Sequence, residues 1–314
     1  MLHVLNMYRE TIEHPWSMPD DLKAQVDLTS GRDRGRIYRL VPSDFAPGFE
    51  IPPAPRLGSA TTEQLVVELS NPNSWWRDTA HRLIFERQDA AAVPPLRLLL
   101  ATETDAIARL HALWSLHGLA ELTVDDLNAA INDGDARIRK HAIRLAELRL
   151  QNNSSLVNAV LQRASDDSVR VRFQVALTLG ELSDDRVAAT LANIAKHHRD
   201  DAWIPLAVLS SLAGSELSFL KHVVDDADFV RNSGGLQMIE KIAFVVAARK
   251  QHQQIGELYR IIMSLSLSEP DRGTVRQHVL AGLGAGLKRS GRSLESSVAD
   301  ADSGTSLVIS FNTQ

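Results

Sequence analysis

Cysteine is absent from all 314 residues, and that single absence removes several kinds of chemistry. Disulfides, thiolate zinc sites and a cysteine nucleophile are excluded. So is covalent attachment of c-type haem, which needs C-x-x-C-H. Aromatic residues make up only 5% of the chain. No apolar run approaches the roughly 18 residues that a membrane span requires. The start, MLHVLNMYRE, lacks a basic stretch followed by a sustained apolar one, so it does not read as a signal peptide. Dense basic sequence is missing too. The formal charge is −5, and the richest run, Lys288 to Arg292, reads as a solvated helix end, which argues against a nucleic-acid partner. No G-x-S-x-G elbow or H-E-x-x-H pair occurs. GLGAGLK (Gly282–Lys288) lacks the spacing of a phosphate loop and follows no predicted strand.

What is present is a repeat. Arg77, Arg109, Arg139 and Arg172 are separated by 32, 30 and 33 residues, and each opens an apolar helical segment: RDTAHRL, RLHALWSL, RKHAIRLA and RFQVALTL. A period near 30 with one fixed charge per unit marks a stacked array of helix pairs. Thr61 and Gln64 have capping-box spacing ahead of Leu65, Val66 and Leu69. Polar turns at Asn71–Asn73, Thr104-Asp105, Asn132–Asp135 and Ser165–Asp167 divide each unit into helix, turn, helix. Ala80, Ala112, Ala142 and Ala176 (or Val175) follow the arginines by three or four residues, where small side chains let neighbouring helices approach. Asp105 and Asp135 precede their arginines by four residues, as Asn73 does, and Asp166 and Asp167 lie just before Arg172. An Arg–Asp ladder through the turns is therefore expected, built on Arg77, Arg109, Asp105, Arg139, Asp135, Arg172 and Asp167, with a structural role. Beyond residue 185 the register weakens, and Ile204 is expected where the next arginine would stand.

Residues 1–57 read differently. Leu2–Tyr8 and Gly35–Val41 have strand composition, Pro19–Leu28 suits a short helix, and Ser43–Ser59 is a proline-rich linker. Two strands without further partners are marginal in water. The expected organisation is thus a β-containing segment and linker over 1–57, an α-solenoid over 58–290, and a poorly ordered tail over 291–314. Other residues carry chemistry only on paper. Glu13 and His14, ahead of Pro15, are the best remnant of a functional loop. His197-His198 beside Asp200-Asp201 are metal-friendly types, but adjacent helical histidines diverge by about 100°. Trp75-Trp76 and Trp114, at helical spacing beside leucines, read as packing between repeats. His81, His111 and His141 follow the stacking register. No metal or cofactor is expected.

The helix–turn–helix units with Asp and Arg about the turn resemble HEAT repeats, clearest over 61–182. The fold expected is mainly α: a curved right-handed HEAT-type solenoid of about six to seven helix pairs with the small β segment in front. The phrases MYRETIEHPWSMPDDLKAQVDLTSGRDRGRIYRL, NSWWRDTAHRLIFERQD, ARLHALWSLHGL and VRFQVALTLGEL are also similar, in this order, to a stretch of the planctomycete-type membrane-bound dehydrogenase proteins. That family joins a sorbosone-dehydrogenase-like β-propeller, HEAT repeats and a c-type cytochrome domain. The resemblance implies that Met1–Leu40 corresponds to the propeller's end. Most of the propeller and the cytochrome domain have no counterpart here, and Asn6 stands where the family has an aspartate before the tyrosine of MYRE. Two functional readings follow. One is a non-catalytic scaffold whose concave groove binds a protein partner. The other is one part of an exported sugar or alcohol dehydrogenase, placed in the cell envelope, whereas a chain complete in itself would be cytoplasmic.

Overall fold

The computed structural model describes residues 2–9, 14–40, 56–249, 251–289 and 291. Most of the expected linker, and the expected tail apart from Gly291, lie outside the described residues. Contacts divide the chain into two compact units, Met1–Arg56 and Leu57–Gln314.

In the first unit β1 (Leu2–Asn6) pairs antiparallel with β2 (Arg36–Leu40), Val4 opposite Tyr38. Between them lies a short helix, α1 (Asp20–Lys23). Gly31 has φ +77°, and a Cβ there would meet the Tyr8 carbonyl oxygen at 1.8 Å, so only glycine fits the turn. All five residues of β2 are exposed, as are His3 to Asn6 of β1. A ribbon with neither face covered gains little from burial.

The second unit is a run of helix pairs. They are α2 (Thr62–Glu68) with α3 (Ser74–Arg87), α4 (Val93–Thr102) with α5 (Ala106–Gly118), and α6 (Val124–Ile131) with α7 (Ala136–Ala146). Next come α8 (Ser154–Gln162) with α9 (Val169–Thr178), and α10 (Arg186–His198) with α11 (Ile204–Ser210). Then α12 (Glu216–Val223) and the one-turn α13 (Ala227–Val230) precede α14 (Ser233–Ala248), and α15 (His252–Met263) precedes α16 (Glu269–Arg289). Second helices pack side by side in chain order, α3 on α5, α5 on α7, α7 on α9, α9 on α11, α11 on α14 and α14 on α16. First helices do the same at α2·α4, α6·α8, α10·α12 and α12·α15. The described residues thus form seven helix pairs of a HEAT-type α-solenoid.

Local sequence explains the starts. Thr61 accepts the Gln64 N–H while Gln64 reaches back to the Thr61 N–H, and Thr123 with Asp126 repeats the device. Asn73, Asp105 and Asp135 are the N-caps of α3, α5 and α7, each accepting the N–H two residues on. One buried apolar cluster runs from Leu57 to Leu287, because no single pair can bury both of its faces. Ala80, Ala112, Ala142 and Ala176 are fully buried, so α3, α5, α7 and α9 meet their neighbours at close range. The weak register beyond residue 185 needs one correction. Every ladder arginine is the fourth residue of its helix, and α11 begins at Ile204, so Ala207 stands in the arginine's place. Pro205 suits the first turn there, and the Asp201 carboxylate accepts the Ile204 N–H ahead of it.

Candidate interaction face across the second helices

Each repeat arginine bends back over the turn ahead of its helix. Arg77 Nη1 donates to the carbonyls of Asn71 (2.7 Å) and Pro72 (3.0 Å). Arg109 Nη1 reaches Glu103 and Thr104 at the same two distances. Arg139 Nη1 reaches Asp133 (2.9 Å) and Gly134 (3.0 Å), and Arg172 Nη1 reaches the Asp166 carbonyl. The arginine ties down backbone acceptors that a tight turn leaves without partners.

The other edge of the guanidinium faces the next repeat, and here the partners differ from those expected. Arg109 is held bidentately by Asp133, with Nη2 to Oδ1 2.8 Å and Nε to Oδ2 3.1 Å. Arg139 is held bidentately by Asp166, both bonds 2.7 Å. Asp105 and Asp135 do not pair with Arg109 and Arg139. Their carboxylates are spent on the N-cap bond, and Asp135 is further gripped by Arg137 at 2.7 Å, which pulls its pKa down to about 2. Asp167 is exposed, while its neighbour Asp166, with a side chain only 1% accessible, is the partner. The acids that matter stand two residues before the cap. Asp133 and Asp166 accept the Asp135 and Ser168 N–H groups and are thereby aimed at the preceding repeat. Glu103 and Asp201 occupy the same place, but Arg77 and Arg172 do not reach them, and the Nε of each is buried without a partner among the described residues. Burial would raise the Asp166 carboxyl. The Arg139 hydrogen bonds, the Ser168 N–H and the charges of Arg139 and Arg163 outweigh it and hold the group below its ordinary value.

Beside this ladder runs a histidine–tryptophan column. His81 of α3 and His111 of α5 meet edge to face, their Nδ1 atoms 3.3 Å apart, and Ser115 Oγ lies 3.3 Å from His81 Nδ1. Trp114 Nε1 donates to His141 Nδ1 of α7 at 3.2 Å. Two Nδ1 atoms at that distance can share a hydrogen bond only if one of them lacks a proton. Burial lowers the pKa of all three histidines, aided at His111 by His81 and at His141 by Lys140 and Arg144. The sign of the linkage follows. Between the lowered native value and the ordinary 6.5 the unfolded chain binds more protons, so stability is full above about pH 6.5 and falls as pH drops through the native value. The denaturation midpoint should decrease from about pH 7.5 to about pH 5.5, and replacing His81, His111 and His141 by glutamine should flatten that slope. His198, lowered by burial and the charge of Arg172, contributes in the same direction and remains in the variant.

The remaining described candidates make local contacts. His14 is exposed and its Nδ1 accepts the Trp16 N–H, capping a single turn; Glu13 lies outside the described residues. Trp75 is half exposed and meets Trp76 edge to face, while Trp76 packs on the core. His197, His198, Asp200 and Asp201 border an open recess with Lys196 and Asp226. There Asp201 caps α11, Asp200 accepts from Asn232, Asp226 binds Lys196 at 3.0 Å, and His197 bonds the Asn193 carbonyl. Among the described residues no three His, Asp or Glu side chains gather to hold a metal ion. None of the described helices is long and apolar enough to cross a membrane.

The outward stripe of the second helices changes character from repeat to repeat. Counted from each arginine, positions −2, +1, +2 and +5 share one helical face. On α5 these are Ile107, Leu110, His111 and Trp114. On α7 they are Arg137, Lys140, His141 and Arg144, and on α9 Arg170, Phe173 and Leu177, while Gln174 at position +2 is buried against Glu147. Apolar, cationic and mixed surfaces therefore lie side by side.

One family match agrees with the repeat architecture. Residues 124–213 match the HEAT repeats family, so this stretch is a HEAT-repeat region. Residues 1–44 match a domain of unknown function (DUF7133). No curated protein matches the chain. Among solved structures it is similar to a designed armadillo repeat protein, YIII(Dq.V1)4CPAF, in complex with the peptide (KR)4. That pairing has 12% identity and a TM-score of 0.32, covering 71% of this chain and 100% of that one.

Proposed function

We propose that this protein is a non-catalytic HEAT-repeat scaffold whose second-helix face binds a protein partner. The observation that carries this reading is the stripe running over α5, α7 and α9. It sets Trp114, His111 and Phe173, all part-exposed, beside cations, on helices locked to one another by the arginine ladder. A stacked array fixes such a stripe in place without a closed cavity, which suits a protein partner better than a small substrate. Wild-type chain and a Trp114→Ser, Phe173→Ser variant, immobilised in parallel, should differ. A partner retained by the first and lost by the second supports the reading, and no specific retention by the wild type overturns it.

A second reading keeps the chain within an exported sugar or alcohol dehydrogenase assembly in the cell envelope. It rests on the sequence resemblance and on the β1–β2 ribbon, exposed on both faces as part of a larger sheet would be before its neighbours are added. On this reading residues 1–57 are a propeller-derived segment, 58–290 the scaffold, and 291–314 a tail. Purified chain that oxidises aldoses with a dye acceptor would favour it over the scaffold.

A further inference from the structure

The stripe on α7 is unusual for a chain of net charge −5. Neither α7 nor α9 contains an acidic residue. Six cations stand on the two helices, and three are already committed. Arg139 is bound by Asp166, Arg137 by Asp135, and Arg172 by the Asp166 carbonyl. Lys140, Arg144 and Arg170 make no ion pair or hydrogen bond with any described residue. Lys140 is part-exposed, and Arg144 and Arg170 are exposed. Four nearby carboxylates have other partners. Asp105 caps α5, Asp133 holds Arg109, Asp135 holds Arg137, and Glu147, at the end of α7, accepts from Gln174 and Thr178. Asp167, three residues ahead of Arg170, forms no ion pair with it. His141 adds no charge near neutral pH, because burial and the flanking cations keep it deprotonated.

We propose that Lys140 and Arg144 of α7 and Arg170 of α9 bind an acidic peptide segment of a partner protein. Its flanking apolar residues rest on Trp114 of α5 and on Phe173 and Leu177 of α9. The inference deepens the scaffold reading and rests on it. Geometry sets the length of the segment. Neighbouring helices pack about 8–10 Å apart, so an extended chain crossing from α5 to α9 spans roughly 16–20 Å, or about six residues at ~3.3 Å each. Acidic residues then fall over α7 at the centre, and apolar residues at the ends. Apolar side chains such as Phe173 and Leu177 beside the cations favour a peptide over a polyphosphate backbone, which would need a continuous basic track.

The test uses the full chain and a fluorescein-labelled peptide of about six residues, with Asp and Glu at the centre and Leu and Trp at the ends, followed by anisotropy. Controls are the same peptide with Lys and Arg in place of the acids, and a single-stranded oligonucleotide of similar length. The acidic peptide should bind at least tenfold more tightly than the basic one, and more weakly as salt rises. The triple variant Lys140→Glu, Arg144→Glu, Arg170→Glu should lose that binding and gain affinity for the basic peptide. Its denaturation midpoint should stay near wild type, since no hydrogen bond is removed. Should the charge reversal unfold the chain, Lys140→Gln with Arg144→Gln must still weaken the acidic peptide severalfold. Equal binding of acidic and basic peptides, an unaffected charge-reversed variant, or an oligonucleotide that binds as well as the acidic peptide would each overturn the proposal. Failure here while a captured partner still depends on Trp114 and Phe173 removes the acidic-segment inference alone. Loss of all specific capture removes the scaffold reading beneath it.

Discussion

Asp166→Ala is expected to destabilise the solenoid by about 3–5 kcal/mol, the range for removing one partner of a buried ion pair. Its side chain is 1% accessible and that of Arg139 is 11%. Alanine would leave the Arg139 guanidinium buried opposite no charge and the Ser168 N–H without its acceptor. Chemical denaturation measures the total, and hydrogen exchange should rise first over α7 to α9, since each repeat contacts only its neighbours. Two comparisons identify the cause. Asp271→Ala removes an ion pair whose arginine, Arg231, is 61% accessible, and should cost no more than about 1 kcal/mol. Replacing Arg139 and Asp166 together by leucine should recover most of the loss, because the expense lies in the orphaned charge rather than in the missing attraction. An Asp166→Ala chain as stable as wild type would show that the ladder does not brace the turns. If Arg139→Ala left stability unchanged and abolished partner binding, the ladder would be a binding site instead.

The second large effect concerns Gly282 and Gly286. Both lie on the face of α16 that packs on α14. A Cβ at 282 would stand 2.2 Å from the Glu240 carbonyl oxygen, and one at 286 would stand 2.4 Å from that of Phe244 and 2.8 Å from Ala247 Cβ. Helix propensity by itself favours Gly→Ala by about 0.8–1.0 kcal/mol. The obstacle is backbone, which cannot rotate away as a flexible side chain would. Gly282→Ala should therefore be net destabilising by about 1–3 kcal/mol, and Gly282→Val by more. Gly256 in α15 and Gly273 in α16 have open space around the added carbon. Alanine there should stabilise by about 0.5–1 kcal/mol, so opposite signs at 282 and 273 within one helix isolate packing from propensity.

These two cases mark where reading the sequence succeeds and where it stops. The start of α2 was legible from the capping box at Thr61, and those of α3, α5 and α7 from the polar turns and the apolar periodicity after them, because such signals act within a few residues; that Asn73, Asp105 and Asp135 are the caps there was not. The buried alanines after each arginine were legible for the same reason. The ladder's partners were not, since the bonds joining Arg109 to Asp133 and Arg139 to Asp166 cross 24 and 27 residues. A usable signal was present nonetheless. Asn71, Glu103, Asp133 and Asp166 each stand six residues before a repeat arginine, a spacing as regular as that of the arginines themselves. The nearer aspartates concealed it, being four residues away and acidic but already engaged as caps. The spacing of GLGAGLK excluded a phosphate loop but did not show what its glycines do; Gly282 and Gly286 form a packing surface, which depends on α14, some 40 residues earlier in the chain.

The sequence alone determined that this chain is a stack of helix pairs, where most pairs turn, and which faces they bury. Those features follow from the 3.6-residue period and from hydrogen bonds closed inside one turn. Only the tertiary structure decided which acid meets which arginine, how His81, His111, Trp114 and His141 join across three helices, and which cations remain unpaired. Those outcomes depend on the offset between successive repeats, and that offset is set by side-chain volumes at interfaces whose two halves are about 30 residues apart.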